Sequence, residues 1–233
     1  MQTAMPTFAS STLLQLLQLA SPSLPIGAYC YSQGLESAID QGLVHDEASA
    51  HDWISGYLQQ VMVFFEAPIL WRLLQAFAQG DAAAVCNWTD TFLAARDSSE
   101  SRAETVQMGY SLTKLIIDLR LPDARLLAIL HSLPETPLPT ALACASVALK
   151  LPHQATLLAM LFSWAENQVL ACVKTVPLGQ VAGQRLLFSL HAAIEQAALV
   201  AQTLGDEELN NWNPALSLLA MQHEVQYSRI YRS

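Results

Sequence analysis

Apolar residues recur along this chain at three- and four-residue spacing, and no β-branched, alternating run of strand length interrupts them. That periodicity belongs to helices that bury one face. It predicts an all-α bundle of roughly ten helices, several of them broken by proline or glycine. The first covers residues 11–19. The second covers 32–41, with Ser32 as N-cap and Gly42 as C-cap. A long one begins at Asp46 or Ser49 and passes Trp53, Tyr57, Val61, Phe64 and Phe65. Pro68 is expected to kink or restart it before it ends at Gly80. Residues 81–95 form another, and Ser101 with Glu104 reads as a capping box ahead of an apolar run. Helices at 122–133, 140–150 and 152–174 follow. A long helix then passes Leu186, Leu190, Ile194 and Leu204, and the last begins with Pro214 at its first position.

One segment departs from this periodicity. Residues 19–36 read LASPSLPIGAYCYSQGLE. Pro22 and Pro25 fix φ and remove backbone donors, and Gly27 offers a conformation few other residues tolerate. Tyr29 and Tyr31 follow, and linkers avoid aromatics. The segment is therefore either a docking loop or a buried crossover whose tyrosines fill a gap in the core. Other features carry paired readings too. Gly109 inside a helix costs roughly 1 kcal/mol against Ala and marks close helix approach or a contact site. Arg96, Arg102 and Glu104 gather charge in a charge-poor chain, as a solvated turn or a docking patch. Trp164, Glu166, Asn167 and Gln168 sit mid-helix, lining an interface or bonding across the core. The loop LPETPLP at 133–139 is the best internal boundary, yet the helices beyond it are equally apolar. We expect one domain over 1–233, with a flexible segment 1–9 and a distinctive tail at 221–233.

Composition sharpens this. Charged residues make up 13%, against roughly 25% for an average soluble domain. Hydrophobic residues reach 52%, and mean hydropathy is +0.29. The apolar run at 156–173 is interrupted by Glu166, Asn167 and Gln168, so no membrane span is expected. The run at 13–19 has no basic region ahead and is broken by Gln15 and Gln18, so neither is a signal peptide. The surplus then favours oligomerisation or a permanent complex. The net charge of −9, from 20 acidic and 11 basic residues, with no basic run, disfavours nucleic acid. Cys30, Cys86, Cys144 and Cys172 form no CxxC pair and read as reduced thiols of a cytosolic protein.

Catalytic chemistry finds no pattern. The six histidines are not spaced to share a helix face, and HExxH is absent. His45 and His51 near Asp46 and Asp52 read as a turn that starts a helix ahead of a cation site, although a site shared between subunits would need only one histidine per chain. There is no GxxxxGK[ST], GxGxxG or GxSxG, and Glu207 with Glu208 reads as a helix-start cap. The chain reads as a binding protein. Its last residues, MQHEVQYSRIYRS, place Tyr227 and Tyr231 at i, i+4 and Arg229 and Arg232 at i, i+3. Aromatics and arginines are what interface anchors are made of.

Four stretches together carry a family resemblance. LLQLASPSLPIGAYCYSQGLES, FLAARDSSESRAETVQMG, WAENQVLACVKTVPLGQVAGQRLL and MQHEVQYSRIYRS resemble, in order, the urease accessory protein UreF family. The resemblance implies an all-α, non-catalytic, cytoplasmic protein that forms a homodimer and needs no cofactor of its own. Its implied partners are the accessory protein UreD (also called UreH), the GTPase UreG and, through the complex, apo-urease, which receives nickel. It places the UreD/UreH side on Tyr29, Tyr227, Arg229, Tyr231 and Arg232. It places the GTPase side, less directly, on Glu36, Arg102, Glu104 and Lys174. We expect the tail to order on meeting UreD/UreH and to lock the loop at 24–31, shaping the GTPase surface. Two other roles stay open: a GTPase activator in which Arg229, Arg232 or Arg102 supplies charge, and a metallochaperone with its own nickel site. A fourth role, an uncommitted helical adaptor, requires that no urease partner binds.

Overall fold

In a computed structural model that describes residues 9–176 and 178–233, the chain is all-α. Among the described residues there are twelve α-helices and no strand. They are α1 (Ser10–Ala20), α2 (Leu35–Asp40), α3 (Glu47–Tyr57), α4 (Ala67–Gln79), α5 (Ala82–Ala94) and α6 (Ser99–Asp118). The second half has α7 (Ala124–Ser132), α8 (Leu138–Ala148), α9 (His153–Thr175), α10 (Gln180–Ser189), α11 (His191–Thr203) and α12 (Pro214–Glu224). Except for Ala9, the segment 1–9 lies outside the described residues, as does Pro177 in the break before α10.

The core forms around α4, whose Ile69, Leu70, Leu73, Leu74 and Phe77 are wholly buried. Against it lies α8, buried on all sides because Ala141, Ala143, Cys144 and Ala145 are small enough to let backbones approach. The same apolar cluster takes in Leu35 of α2, Leu112 of α6, Leu157 and Leu161 of α9, Ile194 of α11, Leu219 of α12 and Tyr231 of the tail. Two helical stretches, Glu47–Gln79 and His153–Thr175, are long and apolar enough to cross a membrane by length and composition. In the fold, 61% and 44% of their apolar windows are buried inside the protein.

Several boundaries differ from the sequence expectation for physical reasons. At Pro68 the α-helix restarts, with the proline in the first turn of α4. The chain winds continuously from α3 to α4 through a nine-residue π-helical stretch, Leu58–Glu66. Pro68 has no N–H to offer the Phe64 carbonyl, which accepts the Asn210 N–H instead at 3.1 Å. The capping box belongs to Ser98 and Ser101, not Ser101 and Glu104: each serine hydroxyl accepts the other's N–H, at 3.0 and 3.3 Å. The long helix past Leu190 is two helices. Ser189 Oγ donates to the Leu186 carbonyl at 2.7 Å, and Leu190 takes a tighter turn onto Leu187. In α2, Ser32 still accepts the Glu36 N–H at 3.3 Å, but the helix begins only after Gly34.

Gly109 marks a close helix approach. A Cβ there would sit 2.0 Å from the Thr136 carbonyl oxygen and 2.5 Å from the Pro137 carbonyl carbon. One turn earlier, Thr105 Oγ1 accepts the Leu138 N–H at 3.2 Å. So α6 crosses directly over the start of α8, capping it with a hydroxyl and clearing room for it with a glycine.

Candidate functional site

The proline loop and the tail, far apart in sequence, meet over α2. In the loop, Gly27 takes φ +79° and leads into a single 3-10 turn, Ala28–Cys30. This turn splits the two tyrosines: Tyr31 is buried, whereas Tyr29 is 55% exposed. The loop is thus a buried crossover at Tyr31 and an open surface at Tyr29.

After α12 the chain turns back, and residues 229–233 run across α2 to the loop. Glu36, 7% exposed, receives them: its Oε1 accepts the Ile230 N–H at 2.6 Å and its Oε2 the Tyr231 N–H at 3.0 Å. The Arg232 N–H donates to the Cys30 carbonyl at 2.8 Å. The Ser233 carbonyl accepts the Ser32 N–H at 2.6 Å and the Gln33 N–H at 3.1 Å, together with the Ser32 hydroxyl at 2.7 Å. The Ser233 hydroxyl donates to Glu104 Oε2 at 2.6 Å. Arg229 donates to Glu100 Oε1 at 2.5 Å. Beneath all of this, wholly buried His223 lies between Glu36 Oε2 at 3.0 Å and Glu100 Oε2 at 2.8 Å.

The far side of the loop is held by α9. Trp164 Nε1 donates to Gln33 Oε1 at 2.7 Å, Asn167 to the Tyr31 carbonyl at 3.0 Å, and Gln168 to the Ser32 carbonyl at 3.3 Å. The polar run at 164–168 therefore bonds across the core. Gln33 joins the two halves: it also donates to Glu104 Oε1 at 2.7 Å, from a backbone at φ +57° that a non-glycine residue adopts only under constraint.

Burial sets the acid–base character here. The Tyr231 phenol is pushed up to about 12 by burial, and its hydroxyl has no hydrogen-bond partner among the described residues. Burial and then the Glu104 carboxylate raise Tyr31, against the opposing pull of Arg232. The buried thiols Cys144 and Cys172 are pushed up to about 12, which keeps them protonated and unreactive. Glu104 shifts into the neutral range. Burial pushes its carboxyl from 4.5 up to about 7, against the hydrogen bonds from Ser233 and Gln33. Between those values the folded chain holds a proton that the unfolded chain has lost, so stability falls as pH rises through that interval and levels off above it. Glu104→Gln is expected to remove this slope, which is at most about 1.4 kcal/mol per pH unit. Urea denaturation of both proteins from about pH 5 to pH 8 checks it; parallel curves would refute the assignment.

Of the residues expected to meet partners, Tyr29, Glu36, Glu104, Lys174, Arg229, Tyr231 and Arg232 gather in this one region. Lys174 is exposed, with Nζ 6.0 Å from the Tyr29 ring centre and 5.7 Å from that of Tyr231. Glu36 and Glu104, expected to face a GTPase, are instead buried under the tail, because their carboxylates are what the tail bonds to. Arg102 points elsewhere and pairs with Glu135. Tyr227 is fully exposed, and the i, i+4 relation to Tyr231 is not helical because α12 ends at Glu224. Arg96 belongs neither to a solvated turn nor to a docking patch. It pairs with Glu66 at 2.7 Å and stacks on Phe92 inside the fold. His223, Glu100, Gln33 and Ser233 had no assigned role in the sequence reading.

Among the described residues no group of three His, Cys, Asp or Glu is placed to hold a metal ion. Asp46 caps α3 through the Ser49 N–H at 2.8 Å, and its carboxyl is lowered by the Ser49 hydroxyl first and that N–H second. Large apolar residues do stand exposed around the tail: Leu218, Met221 and Val225 along one side of α12, then Tyr227, Ile230 and Tyr29.

The family model described as UreF matches residues 44–191. The chain is 68% identical over 224 residues to the urease accessory protein UreF of Janthinobacterium sp. strain Marseille, covering 96% of this chain and 99% of that one. It is 65% identical over 221 residues to the protein of that name from Nitrosospira multiformis, covering 95% and 97%. Against the namesake from Azoarcus sp. the identity is 50% over 228 residues, covering 95% of both.

Proposed function

The chain belongs to the UreF family of urease accessory proteins, and from that premise we propose that it is a dimeric cytoplasmic scaffold, folded as one domain, which binds UreD/UreH and recruits the GTPase UreG so that nickel reaches apo-urease. Family membership makes it an accessory protein of urease maturation rather than a catalyst. The observation that supports the scaffold is the tail held on the proline loop, ringed by exposed Tyr29, Met221, Val225, Tyr227 and Ile230. A partner that covers this apolar rim stabilises the docked tail along with the loop beneath it. The tail is expected to order on meeting UreD/UreH and to lock the loop at 24–31; its contacts with Glu36 and the Cys30 carbonyl in the single chain support a partner that holds this arrangement and reads it. Two of the arginines considered for transition-state charge are engaged within the chain, Arg229 with Glu100 and Arg102 with Glu135, which supports a scaffold over a GTPase activator.

The test is co-expression with UreD/UreH and UreG, comparing the full chain with one truncated before Gln222. On size-exclusion chromatography the full chain is expected to give a three-component complex, and the truncation only a folded dimer. A truncation that assembles equally well would refute the recruitment role of the tail. Steady-state GTP turnover of purified UreG, with and without the full chain, separates scaffold from activator. An arginine finger is worth roughly 10³–10⁵ in rate, so stimulation of that order would replace the scaffold reading.

A further inference from the structure

A carboxylate–imidazole–carboxylate bridge sits at the base of the tail. Nε2 of His223 faces Glu36 Oε2 at 3.0 Å, and Nδ1 faces Glu100 Oε2 at 2.8 Å. An ionised carboxylate only accepts hydrogen bonds. Each contact therefore needs its own proton, whereas a neutral imidazole carries one. With a neutral ring, one nitrogen lone pair of the wholly buried imidazole would face a carboxylate oxygen at hydrogen-bond distance, which is unfavourable. The same two carboxylates carry the tail: Glu36 accepts the Ile230 and Tyr231 N–H groups, and Glu100 accepts from Arg229. We propose that residues 225–233 form a proton-dependent latch, closed while a second proton bridges His223 to Glu36 and Glu100 and released when that proton is lost.

The surrounding charges set the direction. Glu36 comes from α2, Glu100 from α6 and Arg229 from the tail; the Arg229 guanidinium also donates to the His223 carbonyl at 3.3 Å. On α12 itself, Glu224 is engaged by the Ser99 hydroxyl and the Glu100 N–H. Asp97, in the turn before α6, accepts from Ser217 at 2.5 Å. With the ring charged, His223, Arg229, Glu36 and Glu100 are together neutral. With the ring neutral, the cluster keeps a net negative charge that the Ile230 and Tyr231 N–H groups offset only in part. Glu104, under Ser233, ionises as pH rises through about 7 and adds a second negative charge below the same segment. Loss of the imidazole proton favours release on the alkaline side, whereas the ionised Glu104 accepts the Ser233 hydroxyl more strongly and opposes it. The latch rests on the chain's own geometry and does not depend on which partner the tail meets.

The test uses the full chain alone. Amide hydrogen exchange at Ile230, Tyr231 and Arg232, corrected for the intrinsic pH dependence of exchange, is measured at about pH 5 and about pH 8.5, on either side of the interval where histidines change charge. Protection is expected to fall at least tenfold at the higher pH. The ¹⁵N shifts of the His223 ring should report both nitrogens protonated while the tail is protected, and the ring should lose a proton as protection falls. In Glu100→Gln the side-chain amide donates to Nδ1 and its oxygen still accepts from Arg229, so a neutral ring is satisfied and the pH dependence should disappear with the tail docked. In Glu104→Gln the fall should persist. Flat protection in the unaltered chain would overturn the proposal. So would a neutral His223 ring under a protected tail, a Glu100→Gln tail that still docks but releases as the unaltered one does, or a Glu104→Gln chain whose protection no longer depends on pH.

Discussion

Glu36→Ala is expected to free residues 229–233 while leaving the bundle folded. The Glu36 carboxylate is the shared acceptor for two backbone N–H groups and one imidazole nitrogen. Orphaning a buried donor costs about 1–3 kcal/mol, and removing one member of a buried charge pair costs about 3–5 kcal/mol. These penalties do not add, because the tail has a way to avoid them: it undocks, and water satisfies its donors. The loss is therefore limited by the docking free energy of the tail. The global fold stands because the wholly buried residues of α2, Leu35 and Ala38, are untouched. Exchange protection at Ile230 and Tyr231 should drop at least about a hundredfold, the equivalent of about 2.8 kcal/mol. Assembly with UreD/UreH should weaken in parallel. Glu36→Gln keeps one acceptor oxygen and should fall between the two. Full protection in Glu36→Ala would mean that the contacts of Ser233 and Arg232 hold the tail by themselves.

That prediction concerns a site whose outline was legible in the sequence and whose wiring was not. The proline loop and the tail stood out because both are aromatic and aperiodic in an otherwise regular chain. The role of their joining acceptor did not: the resemblance placed Glu36 on the GTPase side, and by its position on a short helix it looks like any first-turn acid. His223 was equally inconspicuous: its partners lie 187 and 123 residues away, so no spacing rule links them. Helix existence was readable because burial follows the three- and four-residue period, as at Leu70, Leu73, Leu74 and Phe77 of α4. Local competition decided the boundaries instead. Ser98 and Ser101 are both good caps, and only the fold shows which one starts α6. Pro68 marks where an α-helix restarts, but not the distant residue, Asn210, that takes over the Phe64 carbonyl. Sequence periodicity reports the demand for burial; it does not report which remote group answers a polar one.

Gly109→Ala sets two known effects against each other with a decided outcome. Replacing a helix-interior glycine by alanine gains about 1 kcal/mol of intrinsic helix stability. Here the new methyl would meet the Thr136 carbonyl oxygen at 2.0 Å, the Pro137 carbonyl carbon at 2.5 Å and the Leu138 nitrogen at 2.8 Å. All three are backbone atoms, so no side chain can rotate away. Pro137 and Pro139 stiffen that backbone, and Leu138 is tied to Thr105. Relief requires α6 and α8 to separate across one of the most closely packed contacts of the core. Overpacking of this kind costs about 1–3 kcal/mol and occasionally more, and contact with immobile backbone puts it at the upper end. A net destabilisation of about 2 kcal/mol is expected, lowering Tm by about 4–8 °C for a chain of this size. Gly56→Ala supplies the control, since a Cβ at that helical position meets nothing within 4 Å. It should leave Tm unchanged or raise it, by up to about 1 kcal/mol of added stability. If Gly109→Ala matched Gly56→Ala in thermal denaturation, α6 would have to be free to move off α8, and the tight crossing would not be what the glycine is for.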